Sequence, residues 1–204
     1  MECLKAATLQ LPINSQLGFA YIIPYSGRPQ FQIGYKGYIQ LAMRTGQYRY
    51  LNADCLYEGM TIKRNYLTGE TEITGEPSGE KIIGYFCHME TTNGFTKTIY
   101  MTEKEMAAWA KKYSKSYNRP GSAWETNHKE MGLKTVVRRL LSKWGIMSIE
   151  IQRALEADIE AEVASEIENN ANGAIIDIKP TKGQKEAPKH VMETGEFDVD
   201  PAGF

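Results

Sequence analysis

Apolar residues fall at helical spacing in the first part of the chain, alternate with polar ones through the middle, and return to helical spacing from Glu103 onward. Cys3 to Leu11 is apolar and helix-like, and it begins at the first residues with no capping side chain ahead of it. The stretch "FAYIIPYSGRPQFQIGY", from Phe19 to Tyr35, holds two β-rich runs around Ser26-Gly27-Arg28-Pro29 and predicts a hairpin. Pro24 places its strand at an edge or at its own end. Tyr38, Ile39, Ala42 and Met43 then share one side of a short helix predicted over Lys36–Thr45, which Gly46 stops.

Strands are expected near Arg49–Tyr57, Thr61–Asn65, Glu72–Thr74, Ile82–Met89 and Thr96–Met101. Their short, glycine-containing connections predict an antiparallel meander. Thr102-Glu-Lys-Glu105 matches a capping box and opens a helix expected to run to Tyr113. Further helices are predicted over Asn127–Trp144 and Ile149–Asn169. The fold class is therefore α+β, a β-hairpin and antiparallel sheet packed with several helices. Residues 1–169 form its core, and 170–204, polar with Pro180, Pro188 and Pro201, read as a disordered acidic tail.

Composition sharpens this picture in one respect. The 204 residues have a formal net charge of −1, yet residues 1–149 hold 19 Lys and Arg against 12 Asp and Glu, a balance of +7. Residues 150–204 hold 5 against 13, a balance of −8. A basic body with an acidic end points to a polyanionic partner for the body. The chain has no long apolar run and no signal-peptide pattern, so a soluble intracellular protein is expected. Cys3, Cys55 and Cys87 and the three histidines are scattered, which fits idle thiols in a reducing compartment better than a zinc site.

The helix "KEMGLKTVVRRLLSKWG" divides into two faces at 100° per residue. Leu133, Val137, Leu140, Leu141 and Trp144 fall on one; Lys134, Thr135, Arg138, Arg139, Ser142 and Lys143 fall on the other. No acid occurs between Lys134 and Lys143, whereas a merely solvated face mixes signs so that i,i+4 pairs form. Upstream, "WAKKYSKSYNRPGSAW" interleaves Lys111, Lys112, Lys115 and Arg119 with Trp109, Tyr113, Tyr117 and Trp124. Cations hold phosphates and aromatic rings stack on unpaired bases, so the mixture suits single-stranded nucleic acid. Trp109 and Trp124 serve equally well as core anchors.

In "FQIGYKGYIQLAMRTG", Gly34 and Gly37 flank Lys36 between a strand and a helix. Neither GxxxxGK[ST] nor GxGxxG occurs anywhere, which disfavours a bound nucleotide. Two readings remain for this segment, a backbone-phosphate contact at a helix start and a simple strand-to-helix turn. No nucleophile elbow or HExxH is present; a metal-dependent nuclease would need carboxylates that converge only in the fold.

Five blocks in order carry a family resemblance: "GYKGYIQLAMRTGQYRYLNADCLYEGM", "IIGYFCHMETTNG", "MTEKEMAAWAKKYSK", "SAWETNHKEMGLKTVVRRLLSKWG" and "SIEIQRALEAD". From about Cys3 to Asp158 the chain resembles the RecT family of phage and prophage recombinases. The resemblance implies a single-strand annealing protein that needs no ATP or other cofactor and is not an enzyme. It implies an oligomer or filament on single-stranded DNA and on the annealed duplex intermediate. It also implies a partner exonuclease, contact with a host single-strand-binding protein, and the cytoplasm of a bacterial host. Members of that family begin with a further N-terminal segment, so the same resemblance implies a chain shortened ahead of "MECLKAATLQLP".

Set beside the basic segments, the implied groove has Lys36, Arg44 and Arg49 on one side. Lys111, Lys112, Tyr113, Lys115, Lys134, Thr135, Arg138, Arg139 and Lys143 make up the rest of the DNA-binding set. A single-strand-binding module without annealing activity and a metal-dependent nuclease are the alternative functions.

Overall fold

The computed structural model describes residues 2–25, 27–114, 116–146 and 148–159. Helix α1 (Glu2–Thr8) precedes a hairpin of β1 (Ala20–Tyr25) and β2 (Arg28–Ile33), paired antiparallel from Ala20↔Ile33 to Tyr25↔Arg28. Gly27 closes the hairpin at a φ of +78°, a conformation that costs other residues more. Only Gly34 separates β2 from helix α2 (Tyr35–Arg44).

The hairpin, the meander and the later helices were expected, but the meander is interrupted. Strands β3 (Tyr48–Tyr57), β6 (Ile82–Thr91) and β7 (Thr96–Thr102) form one antiparallel sheet in the order β3-β6-β7. Strands β4 (Thr61–Arg64) and β5 (Thr71–Thr74) pair only with each other. The reason is burial. β3 and β6 carry buried side chains, whereas no residue of β4 or β5 is buried, so nothing draws that hairpin onto the core.

Helix α3 (Glu103–Tyr113) begins at the expected box: Thr102 Oγ1 accepts from the Glu105 amide at 3.1 Å, and the Thr102 amide donates to Glu105 Oε2 at 2.8 Å. A short α4 (Ala123–Thr126) leads into α5 (His128–Trp144). The imidazole of His128 lies 2.7 Å from Glu103 Oε1 and ties the start of α5 to the start of α3. A last helix, α6, is described over 149–159. The rest of the helix expected to Asn169, the 169/170 boundary and the tail lie outside the described residues.

Helix α5 organises the core because it is covered on two sides, by α2 and by the three-stranded sheet. Val136, Val137, Leu140 and Leu141 are fully buried, each burial stabilising by about 1.5–3 kcal/mol. Gly132 permits the close approach, since a Cβ there would stand 2.5 Å from Tyr85 Cε1. Cys55 and Cys87 lie buried in the sheet while Cys3 is exposed, and all three are free thiols. Burial pushes the Cys55 thiol up to about 11 and that of Cys87 up to about 12. No helix among the described residues is long and apolar enough to cross a membrane.

Candidate nucleic-acid interface

The start of α2 answers the question raised by its two glycines. A Cβ at Gly34 would run into Gly18 O, and one at Gly37 into Phe19 O. The glycines therefore admit the backbone of Gly18–Phe19, which also accepts a 2.9 Å bond from the Gly34 amide. Lys36, exposed at the first turn, points to a cavity of about 420 Å³ together with Tyr21, Glu130 and Lys134.

A second cavity, of about 300 Å³, continues from it. Ile23, Gln32, Ala123, Met131 and Lys134 line both, so the two make one cleft between the β1–β2 hairpin and the α4–α5 segment. Beyond Lys134 the cleft runs past Arg138 to Trp109, Tyr113 and Arg119 at the end of α3 and the loop that follows. The hairpin contributes amides to its opposite wall through Gln30 and Gln32.

Within this cleft the electrostatics depart from a plain basic stripe. Lys134 Nζ lies 2.9 Å from Asp158 Oδ2, with side-chain exposures of 15% and 4%. The Tyr38 hydroxyl donates to the same oxygen at 2.6 Å. The acid missing between Lys134 and Lys143 thus arrives from α6, a partner that no periodicity within α5 reveals. Thr135 is buried rather than outward, and its hydroxyl donates to Met131 O at 2.9 Å. Trp144, placed on the apolar face by helical spacing, is 38% exposed. Thr135 lies on the cleft side of α5, beside Arg138 and Asp158, and Trp144 sits in the last turn of the helix.

The remaining cations are dispersed. Arg44 donates to Leu9 O at 2.8 Å and to Gln10 O at 2.7 Å, clamping the chain after α1, and does not line the cleft. Arg49 is ion-paired to Glu90 at 2.9 Å and lies 5.4 Å from the Tyr50 ring centroid. Arg139, one residue from Arg138, turns instead to β7, where Nη1 approaches Met101 Sδ at 3.4 Å. Lys111 and Lys112 are exposed on α3, and Lys112 Nζ stands 5.0 Å from the Tyr113 ring centroid. Lys115 lies outside the described residues. Lys143 is at the far end of α5, 5.3 Å from the Trp144 ring centroid.

Of the aromatic residues, Trp124 is a core anchor, buried and donating through Nε1 to Ser114 Oγ at 3.0 Å. Trp109 is half-buried, with its ring centroid 5.1 Å from that of the 54% exposed Tyr113. Together they give the cleft an aromatic rim beside its cations. Among the described residues no three His, Cys, Asp or Glu side chains are grouped as metal ligands would be.

The chain has relatives among known proteins. The model of the RecT family matches residues 1–173. Uncharacterized protein YqaK of Bacillus subtilis (strain 168) is 44% identical over 202 residues, covering 98% of this chain and 70% of YqaK. Protein RecT of Escherichia coli (strain K12) is 34% identical over 164 residues, covering 76% of this chain and 60% of that protein. A match that takes in the hairpin, the cleft and all of α5 leaves one conclusion: the chain belongs to the RecT family.

Proposed function

We propose that this protein binds single-stranded DNA and anneals complementary strands without ATP or another cofactor, in phage-type homologous recombination. Membership in a recombination family sets the class. The cleft supports the finer statement, because Lys36, Lys134 and Arg138 from two helices lie along it and its far end carries Trp109 and Tyr113. Cations there neutralise backbone phosphate and release counterions, so affinity falls with salt and depends little on sequence. The aromatic rim stacks on unpaired bases. Pairing itself selects the partner strand, and no bond is made or broken by the protein.

In this reading Lys36, Lys134 and Arg138 contact phosphate directly and Tyr113 contacts a base. Lys111 and Lys112 extend the basic track along α3, while Arg44 and Arg49 mainly hold the fold. The working form is an oligomer or filament on DNA, supplied with single-stranded ends by a partner exonuclease and acting beside a host single-strand-binding protein.

The test is annealing of two labelled complementary oligonucleotides, added one after the other without nucleotide, over a salt series and with or without Mg²⁺. Faster pairing with both strands intact is expected. Binding without faster pairing would assign a single-strand-binding module instead, and strand loss in Mg²⁺ would assign a nuclease.

A further inference from the structure

The C-terminal end of α5 carries a second cluster of rings and cations outside the cleft. Trp144 is 38% exposed and Phe95, in the β6–β7 turn, is 43% exposed. Their ring centroids lie 6.3 Å apart with planes inclined by 35°. Lys97 Nζ stands 4.7 Å and Lys143 Nζ 5.3 Å from the indole centroid. None of the four residues lines the cleft. Ten residues of helix, roughly 15 Å, separate Lys134 from Trp144. The β4–β5 turn borders the cluster, since a Cβ at Gly69 would run into the Lys97 ammonium.

The chemistry of this cluster is specific in two ways. Neither Lys97 nor Lys143 forms an ion pair among the described residues, so both charges remain available to an external anion. The ring between them is large, apolar and partly in water, which a surface built only for solubility avoids. Two unneutralised cations around an accessible indole match a backbone phosphate on either side of an unpaired base. Duplex DNA supplies the phosphates but keeps its base faces stacked, and an acidic protein surface engages the lysines but leaves the indole without a partner of its own kind.

We propose that Phe95, Lys97, Lys143 and Trp144 form a second contact for single-stranded nucleic acid, with Trp144 stacked on a base and the two lysines on flanking phosphates. The inference rests on the annealing reading and extends it: an incoming strand is held here while the cleft is already occupied.

The experiment titrates the full chain with a mixed-sequence single-stranded oligonucleotide, following DNA anisotropy and tryptophan emission together. Wild type and Trp144→Phe are compared, because Phe keeps the aromatic surface and the emission difference isolates Trp144 from Trp109 and Trp124. Quenching of the Trp144 component is expected with single strands and not with a blunt duplex of the same length. Lys97→Ala with Lys143→Ala should lower the magnitude of the log–log salt slope by roughly 1.4. Anisotropy that reports binding while Trp144 emission stays unchanged would overturn this site alone, as would equal quenching by the duplex. A shift of Trp144 emission on deleting residues 171–204 without DNA, with no further change when DNA is added, would assign the cluster to the chain's own acidic end. Absence of binding by both signals would overturn the annealing reading and this site with it.

Discussion

Lys134 and Lys143 stand on one helix, nine residues apart, in opposite surroundings. Lys134 is nearly enclosed and held by the buried carboxylate of Asp158, which Tyr38 also holds. Lys143 lies against an exposed indole with no carboxylate partner among the described residues. The cleft cation is oriented by its ion pair, and a phosphate entering there meets a charge already partly answered. The cation at the helix end is restrained only by a ring contact worth about 0.5–1 kcal/mol. Counting basic residues therefore overstates the cleft and understates the end of the helix.

The sharpest break between the two regions lies in stability. Lys134→Ala leaves Asp158 buried without its counter-charge and should cost about 3–5 kcal/mol, read as a fall in the urea midpoint at unchanged slope. Adding Asp158→Asn should recover much of that loss, since the orphaned charge goes with it. A cost below about 1 kcal/mol would mean that the pair behaves as a surface one, and the contrast with Lys143 would disappear.

The fold also has an alkaline limit, set by the sheet beneath α5. Burial raises the Cys87 thiol to about 12, above the 9.0 of a free thiol. A raised folded value means that the stabilising contribution is complete below pH 9 and is lost as pH rises toward 12. At pH 10 the loss from Cys87 should be about 1.4 kcal/mol. Comparing urea midpoints at pH 8 and pH 10, in wild type and Cys87→Ala, checks it. An identical pH dependence in the two proteins would show that the thiol carries none of the loss.

How much of this was legible in the sequence depends on how far apart the partners are. The capping box from Thr102 to Glu105 is a four-residue pattern, and α3 begins where it says. The faces of α5 follow from spacing only while one neighbour covers the helix, and α5 has two, α2 and the three-stranded sheet. Lys134 and Asp158 are 24 residues apart, and Phe95 and Trp144 are 49 apart, so no local pattern joins them. Ile62 and Ile73 are the lone apolar residues of β4 and β5, and neither strand buries a residue, so composition hints at a hairpin set apart but does not show where it sits. Ordered blocks along the chain identified the family, which spacing within any one block does not.

Neighbouring arginines sharpen the assignment of the cleft itself. Arg138 lines it, whereas Arg139 lies toward Met101 of β7. Arg138→Ala should weaken single-stranded DNA binding roughly five-fold at 0.1 M salt and reduce the slope magnitude by about 0.7. Arg139→Ala should change either quantity less. Equal losses measured by anisotropy would place the DNA over both faces of α5 and would remove the cleft as the primary track.

Salt provides the finest separation of the two lysines. Lys143→Ala should alter stability by no more than about 0.5 kcal/mol, as exposed substitutions away from caps and networks do. Whatever it contributes through the helix dipole or the ring is screened, because the Debye length falls from about 10 Å at 0.1 M salt to about 3 Å at 1 M. Lys134 and Asp158 are mostly enclosed, so salt screens their attraction less than it screens Lys143, and the cost of Lys134→Ala should largely survive 1 M sodium chloride. Urea midpoints of the two variants at 0.1 M and 1 M salt decide between this view and its converse. A Lys134→Ala cost that salt erases would mean that water and ions already reach the cleft floor. In that case an incoming phosphate would displace Asp158 from Lys134 at little cost.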